Sequence, residues 1–186
     1  MKKFELVLEA LSNLKTVGTV TFSSPALVKK ILKPIDFEKA KIIVEFGAGD
    51  GCITKKILES MSPDAKLLSF EVNDKFIESL KSISDPRLIL IHDSAEKLSH
   101  YLHAHGHEKA DAVISSIPIS LMDDSTTQNI MDEIKSTLAV YGKFIQLQYS
   151  LVSKKLYERN FASVDYDFFL LNLPPAFVYV CLPVAA

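Results

Sequence analysis

Cysteine and glycine are both scarce in this chain, and nothing in it is long and apolar enough to suggest a membrane span. The two cysteines, Cys52 and Cys181, make no disulfide or metal framework, which points to a reducing, cytosolic setting. No apolar run approaches the ~20 residues that a membrane-crossing helix needs. The N-terminal MKKFELVLEA carries acids within its apolar stretch, a pattern foreign to secretory signals. Large net charge is lacking too: the total is −2 over 186 residues. It is unevenly spread, since residues 1–41 hold eight lysines against four acids, a net +4, leaving −6 for the rest. That asymmetry fits a segment meeting an anionic surface, or equally a solvated helical face. With 48% hydrophobic and 24% charged residues, the chain has the composition of a soluble globular protein.

The apolar positions supply an architecture. Phe4, Val7, Leu8, Leu11 and Leu14 mark an amphipathic helix, and Ser24-Pro25 opens a second, carrying Leu27, Val28, Ile31 and Leu32. Strand and helix then alternate. Strands are expected at 41–46, 66–72, 87–91, 111–115 and 142–149, with helices at 50–61, from Asp74, at 94–102, 123–138 and 150–159. Residues 164–172 and 177–182 are both β-rich, with no room for a helix between them, so they form an antiparallel hairpin. The expected fold is a Rossmann-like, doubly wound α/β sandwich with seven strands, one of them antiparallel. It is a single domain over 1–186, with 1–34 as a helical cap.

Three of the six glycines fall in Val44-Glu-Phe-Gly-Ala-Gly-Asp-Gly51, where the first strand meets its helix. Such a turn lets bare backbone approach a ligand, although glycines also relieve crowding between helix and strand. The second strand ends at Glu71, 20 residues beyond Gly51, where an acid can meet a ribose diol. Glu45 before the first glycine and Asp50 within the turn oppose a pyrophosphate at the helix N-terminus. A cofactor with a ribose, an amine and a positive charge suits these acids better, and S-adenosylmethionine (SAM) has all three features. The third strand ends in Asp93-Ser94-Ala95, placed for an adenine amine, and the fourth in Ser115-Ser-Ile-Pro118, facing the reactive end.

On these motifs the chain resembles the class I SAM-dependent methyltransferases over essentially its whole length. Val17-Gly-Thr-Val-Thr-Phe-Ser-Ser-Pro-Ala-Leu27, Asn172-Leu-Pro-Pro-Ala176 and Ser115-Ser-Ile-Pro-Ile119 are similar to segments of bacterial phospholipid N-methyltransferases. Phe22 and Ser116 depart from that pattern, where the family usually has a proline and a glycine. The related ribosomal RNA adenine dimethylases carry an Asn-x-Pro-aromatic motif, against Ser115 and Ile119 here, and a basic RNA-binding domain that a sequence pI of about 6.2 does not match.

The resemblance implies a cofactor site of Ser23, Ser24, Glu45, Gly47, Ala48, Gly49, Gly51, Glu71, Val72, Asn73, Asp93, Ser94, Ala95 and Ser115. It implies an acceptor site of Ser115, Ser116, Pro118 and Tyr149, in which backbone carbonyls of the two serines face the amine and Tyr149 faces the product cation or packs the rim. The expected activity is methylation of a phospholipid amine such as phosphatidylethanolamine. An rRNA adenine, a soluble amine and a non-catalytic SAM-binding adaptor are the alternatives. Nucleic acid is disfavoured, and residues 1–14 either touch the membrane from the cytoplasmic side or pack against the sheet. Asp123 and Asp124 are either a general base or caps of the helix that follows. His100, His103, His105 and His107 are expected in a solvated loop at the opposite rim, and no metal is expected.

Overall fold

The computed structural model describes residues 24–172 and 175–184. The expected helix over residues 4–14, the serine at 23 and the first proline of the hairpin motif lie outside them.

Helix α1 (Pro25–Leu32) begins where Ser24 accepts the Leu27 N–H and proline takes the first turn. β1 (Ile42–Phe46), α2 (Cys52–Ser60), β2 (Lys66–Phe70), α3 (Asp74–Leu80) and β3 (Leu88–Ile91) follow. After a 3₁₀ turn, Ala95–Lys97, come α4 (Leu98–Ala104), β4 (Ala110–Ser115), α5 (Asp124–Thr137) and β5 (Leu138–Gln148). The chain closes with α6 (Lys154–Asn160), β6 (Ser163–Phe169) and β7 (Ala176–Leu182).

The sheet order is β3-β2-β1-β4-β5-β7-β6. Neighbours from β3 through β5 are parallel, and β7 is antiparallel to both β5 and β6. β7 is therefore the one reversed strand, as expected, and β6 ends on the same rim as β1 to β5. The order turns back between β1 and β4, which opens a crevice at the carboxyl ends of those strands. Each face of the sheet carries an apolar layer. One joins α1 and α2 to Ile43, Leu67, Ile145 and Val178; the other joins α4, α5 and α6 to Phe46, Phe70, Phe144 and Tyr179. Strands buried on both faces read as continuous apolar runs, which is why periodicity located them.

The boundaries moved where side chains intercept backbone. β2 ends at Phe70 because the Glu71 carboxylate takes the N–H groups of Val72 and Asn73. The helix expected at 94–102 begins as the 3₁₀ turn, with Ser94 accepting the Glu96 N–H. β5 starts at Leu138, four residues early, and the register against β4 shifts between Ala110 and Ala112. α6 begins at Lys154 rather than Ser150.

The cap helix is tied to the far hairpin. Ser24 N–H donates to Asn172 Oδ1 at 3.0 Å, and Lys30 Nζ lies 2.6 Å from Asp167 of β6. Replacing Asn172 with alanine should strand the Ser24 amide and lower unfolding stability by about 1–3 kcal/mol, measured by denaturant titration. Unchanged stability would mean that water replaces this link without loss.

Candidate functional site

All five parallel strand tips that carried the expected motifs meet at one rim. The turn after β1 is pinned by its own backbone, with Gly47 and Ala48 N–H donating to the Phe70 carbonyl at 2.9 and 3.2 Å. At Gly47 a side chain would be strained and crowded: φ is +80° and a Cβ would lie 2.9 Å from Ile117 Cγ2, so the turn abuts the loop after β4. Gly49 differs. It sits at φ +56° with nothing within 4 Å of where a Cβ would be, so its bare backbone faces open space. The two glycines do different jobs, one for close packing and one for approach by a ligand.

Glu71 holds this arrangement. Its Oε2 accepts the Gly49 N–H at 2.8 Å, while Oε1 accepts Val72 and Asn73 N–H at 2.9 and 2.8 Å. A carboxylate has about four acceptor positions, so these three amides leave room for one more donor. The acid at the second tip is thus already half built into the turn. Asn73 caps α3 through the Lys75 N–H, and Val72 is exposed beside it.

Glu45 lies beneath the turn rather than facing the crevice. It is only 1% exposed, and its Oε2 accepts hydrogen bonds from Thr54 Oγ1 (2.7 Å) and Ser69 Oγ (2.6 Å). Its Oε1 is buried without a partner among the described residues. Burial pushes its carboxyl up to about 7, against the lowering effect of the two hydroxyls. Asp50 Oδ1 accepts the Cys52 N–H at 3.1 Å, so a carboxylate occupies the N-terminus of α2.

At the third tip, Asp93 Oδ2 is held by Lys97 Nζ (2.8 Å) and Tyr101 Oη (2.9 Å), and Oδ1 accepts the Ser94 N–H. Lys97 above all keeps its carboxyl below the usual range. Ala95 is buried at the start of the following turn. At the fourth, Ser116 Oγ donates to the Gly47 carbonyl at 2.7 Å, locking this loop to the glycine turn. The Ser115 hydroxyl is buried and unpartnered among the described residues, so what Ser115 offers the crevice is backbone. Pro118 introduces the short turn Ile119–Leu121.

Tyr149 follows β5, and its phenol is pushed up to about 12, by burial first and then by the Cys52 sulfur nearby. It stays neutral at ordinary pH and is no general base. The Cys52 thiol is likewise raised to about 12, by desolvation and then Asp50, which removes it as a nucleophile. Asp123 accepts from Ser125 Oγ, Thr126 N–H and Thr126 Oγ1; these donors hold it far below the usual carboxylate range and make it the cap of α5.

Sequence reasoning missed Gln146. This buried side chain donates from Nε2 to the Ile117 carbonyl at 3.1 Å and to Leu147 at 2.8 Å, fixing the loop after β4 from behind. A glutamine inside the apolar run Phe144-Ile-Gln-Leu147 was the available signal. Thr54 and Ser69, whose hydroxyls both donate to Glu45, were missed as well. A separate depression of about 450 Å³ lies at the opposite rim, against Pro34, Asp36, Asp111 and Tyr141. It is away from every strand tip described above, and Lys143 there bonds the Pro34 carbonyl. Among the described residues, no group of three or more His, Cys, Asp or Glu could hold a metal ion.

Solved structures of methyltransferases share this fold. A precorrin-6y C5,15-methyltransferase from Geobacter metallireducens superposes with a TM-score of 0.66 at 13% identity, over 84% of this chain and 87% of that one. A putative rRNA methylase from Clostridium thermocellum does so at 0.63 and 17% identity, over 90% and 99%. These likenesses show the fold; the family model and the relative that follow make the chain a SAM-dependent methyltransferase of class I. The model of the ribosomal RNA adenine dimethylases matches residues 14–165, and the chain belongs to that family. It is also 30% identical over 168 residues to an ornithine lipid N-methyltransferase from Singulisphaera acidiphila, covering 89% of this chain and 88% of that one.

The site fits SAM on the chain's own features. Gly49 leaves room for a ligand against backbone, Glu71 keeps an acceptor position for a hydroxyl, and the Asp50 carboxylate stands at the N-terminus of α2, where it opposes a phosphate.

Burial of Glu45 has a pH consequence. Its folded value of about 7 exceeds the ordinary 4.5, so the native state holds the extra proton between them. Stability therefore falls as pH rises through that window. Glu45→Gln, which keeps the shape without the charge, should remove this dependence and gain up to about 3 kcal/mol relative to wild type at alkaline pH. Denaturant titrations on both sides of the window check it; parallel pH profiles would contradict it.

Proposed function

We propose that this methyltransferase transfers methyl groups to the primary amine of a lipid head group, of the phosphatidylethanolamine or ornithine-lipid kind. The observation that carries the reading is the likeness to an ornithine lipid N-methyltransferase along 89% of the chain. The loop after β4 supports it. An adenine acceptor calls for a stacking ring there, and this chain offers Ser115 and Ile119.

SAM, when bound, supplies a methyl group already activated on a sulfonium sulfur. The work left to the protein is placement. Gly49 and Glu71 would hold the cofactor's sugar, and Asp93 with Ser94 would meet its base. The backbone of Ser115 and Ser116 presents carbonyl dipoles to a nitrogen that becomes cationic. That backbone cannot drift, because Ser116 Oγ fastens it to Gly47 and Gln146 fastens Ile117. Tyr149 offers a neutral ring beside the same space for the product ammonium. The acceptor gives up its proton to solvent, since Asp123 is committed to its cap and Tyr149 is not ionised.

Membership of the rRNA adenine dimethylase family keeps an RNA acceptor as the second reading. Methyl-labelled SAM incubated with the protein and either phosphatidylethanolamine vesicles, ornithine-lipid vesicles or small-subunit rRNA separates them. Label in a lipid fraction is the expected result. Label in RNA alone would overturn the lipid reading, and bound SAM with no label anywhere would identify an adaptor.

A further inference from the structure

β6 is an edge strand whose two faces differ sharply. Asp165 and Asp167 point to the α1 side, where Asp167 pairs with Lys30. Val164, Tyr166 and Phe168 point to the α6 side, where an outward face would ordinarily be polar. Phe168 is 53% exposed, and Leu170 and Leu171, which follow it, are 68% and 78% exposed. Phe168 stacks on Phe177 of β7 with ring centroids 4.8 Å apart, and Phe177 is in register with Gln148 at the end of β5. From there Leu151 and Val152 lead into α6, and Val152 is 77% exposed. The apolar row thus runs along the rim that carries the glycine turn, without cover from the described residues.

Its border is basic. α6 reads Lys-Lys-Leu-Tyr-Glu-Arg-Asn, three cations to one acid, and packs against β6. Lys154 Nζ sits 5.2 Å from the Tyr166 ring centroid and 3.5 Å from Glu158. Lys155 and Arg159 are exposed and pair with no acid among the described residues. Exposed leucine and aromatic rings flanked by cations match the boundary between anionic head groups and acyl chains. A second copy is a poorer occupant: two-fold pairing of the β6 edges would set one basic α6 near the other.

We propose that the Tyr166, Phe168, Leu170 and Leu171 face, with the cations of α6, docks on an anionic bilayer surface and sets the crevice at the level of the head groups. This rests on the lipid reading above, and adds a contact separate from residues 1–14.

The test uses the full chain and vesicles of phosphatidylglycerol in phosphatidylcholine, which contain no methyl acceptor. Sedimentation partition is measured for wild type, for Phe168→Ser/Leu171→Ser and for Lys155→Glu/Arg159→Glu, with melting temperature and SAM affinity as controls. Wild type should bind. The apolar variant should lose about tenfold or more in partition. The charge variant should lose about tenfold at low salt and much less at high salt. Absent binding by wild type, or unchanged partition in both variants, overturns the docking surface. So does unchanged partition accompanied by lost self-association, which marks a copy interface, or by a lowered melting temperature, which marks a face covered within the chain. Transfer to detergent-dispersed phosphatidylethanolamine separates the two claims. Label there without vesicle binding refutes this surface alone; vesicle binding without label in any lipid refutes the lipid reading alone.

Discussion

The grip of one carboxylate on three backbone amides organises the site. Glu71 sits where β2 must end and where the turn after β1 arrives, and it accepts from Gly49, Val72 and Asn73 at 2.8–2.9 Å. Charge-assisted bonds to amides are among the stronger contacts available to a protein. Here they stop a strand, aim the start of α3 and set the pose of the glycine that faces the crevice. Everything else at the rim is fastened to that unit. Ser116 reaches the Gly47 carbonyl, Gln146 holds the loop behind Ser116, and α2 starts from the end of the same turn.

The electrostatics of the turn explain why this sheet takes a sulfonium cofactor. A helix N-terminus behind a glycine turn is ordinarily an anion site. In this chain the position is taken by Asp50, whose carboxylate already satisfies the Cys52 amide. Glu45 contributes differently. Buried under the turn with two hydroxyl donors on one oxygen and no partner for the other among the described residues, it is a packed acid raised to about 7 by burial. Of the three acids expected to face a cation, Asp50 and Glu71 stand at the rim of the crevice and Glu45 lies beneath the turn.

How much of this was legible in the sequence follows from the physics of each signal. Val44 or Leu68, in parallel strands covered on both faces, belongs to an apolar run that periodicity reads, and the alternation with helices implied a doubly wound sheet. The strand tips were legible because polar residues follow apolar runs at Glu71, Asp93 and Ser115. What pattern cannot report is where a side chain spends its hydrogen bonds. Ser115 looked like a polar residue facing the cofactor, yet its hydroxyl turns into the sheet. Gln146 looked like an irregularity in β5, yet it braces the acceptor loop. The early start of β5 depends on a register shift against Ala110 and Ala112, a tertiary feature with no local signature. Exposure of Phe168 and Leu171 was equally invisible, since an apolar strand reads as core until the sheet order makes it an edge.

The central claim is that Glu71 joins the structural unit to the cofactor. Isothermal calorimetry of SAM binding to wild type and to Glu71→Ala tests it most directly, with circular dichroism to confirm that the variant stays folded. Wild type should bind, and the variant should lose about ten- to a hundredfold in affinity, the scale of about 1.5–3 kcal/mol for a hydrogen bond to a charged acceptor. Equal SAM affinity in a folded Glu71→Ala protein would contradict it.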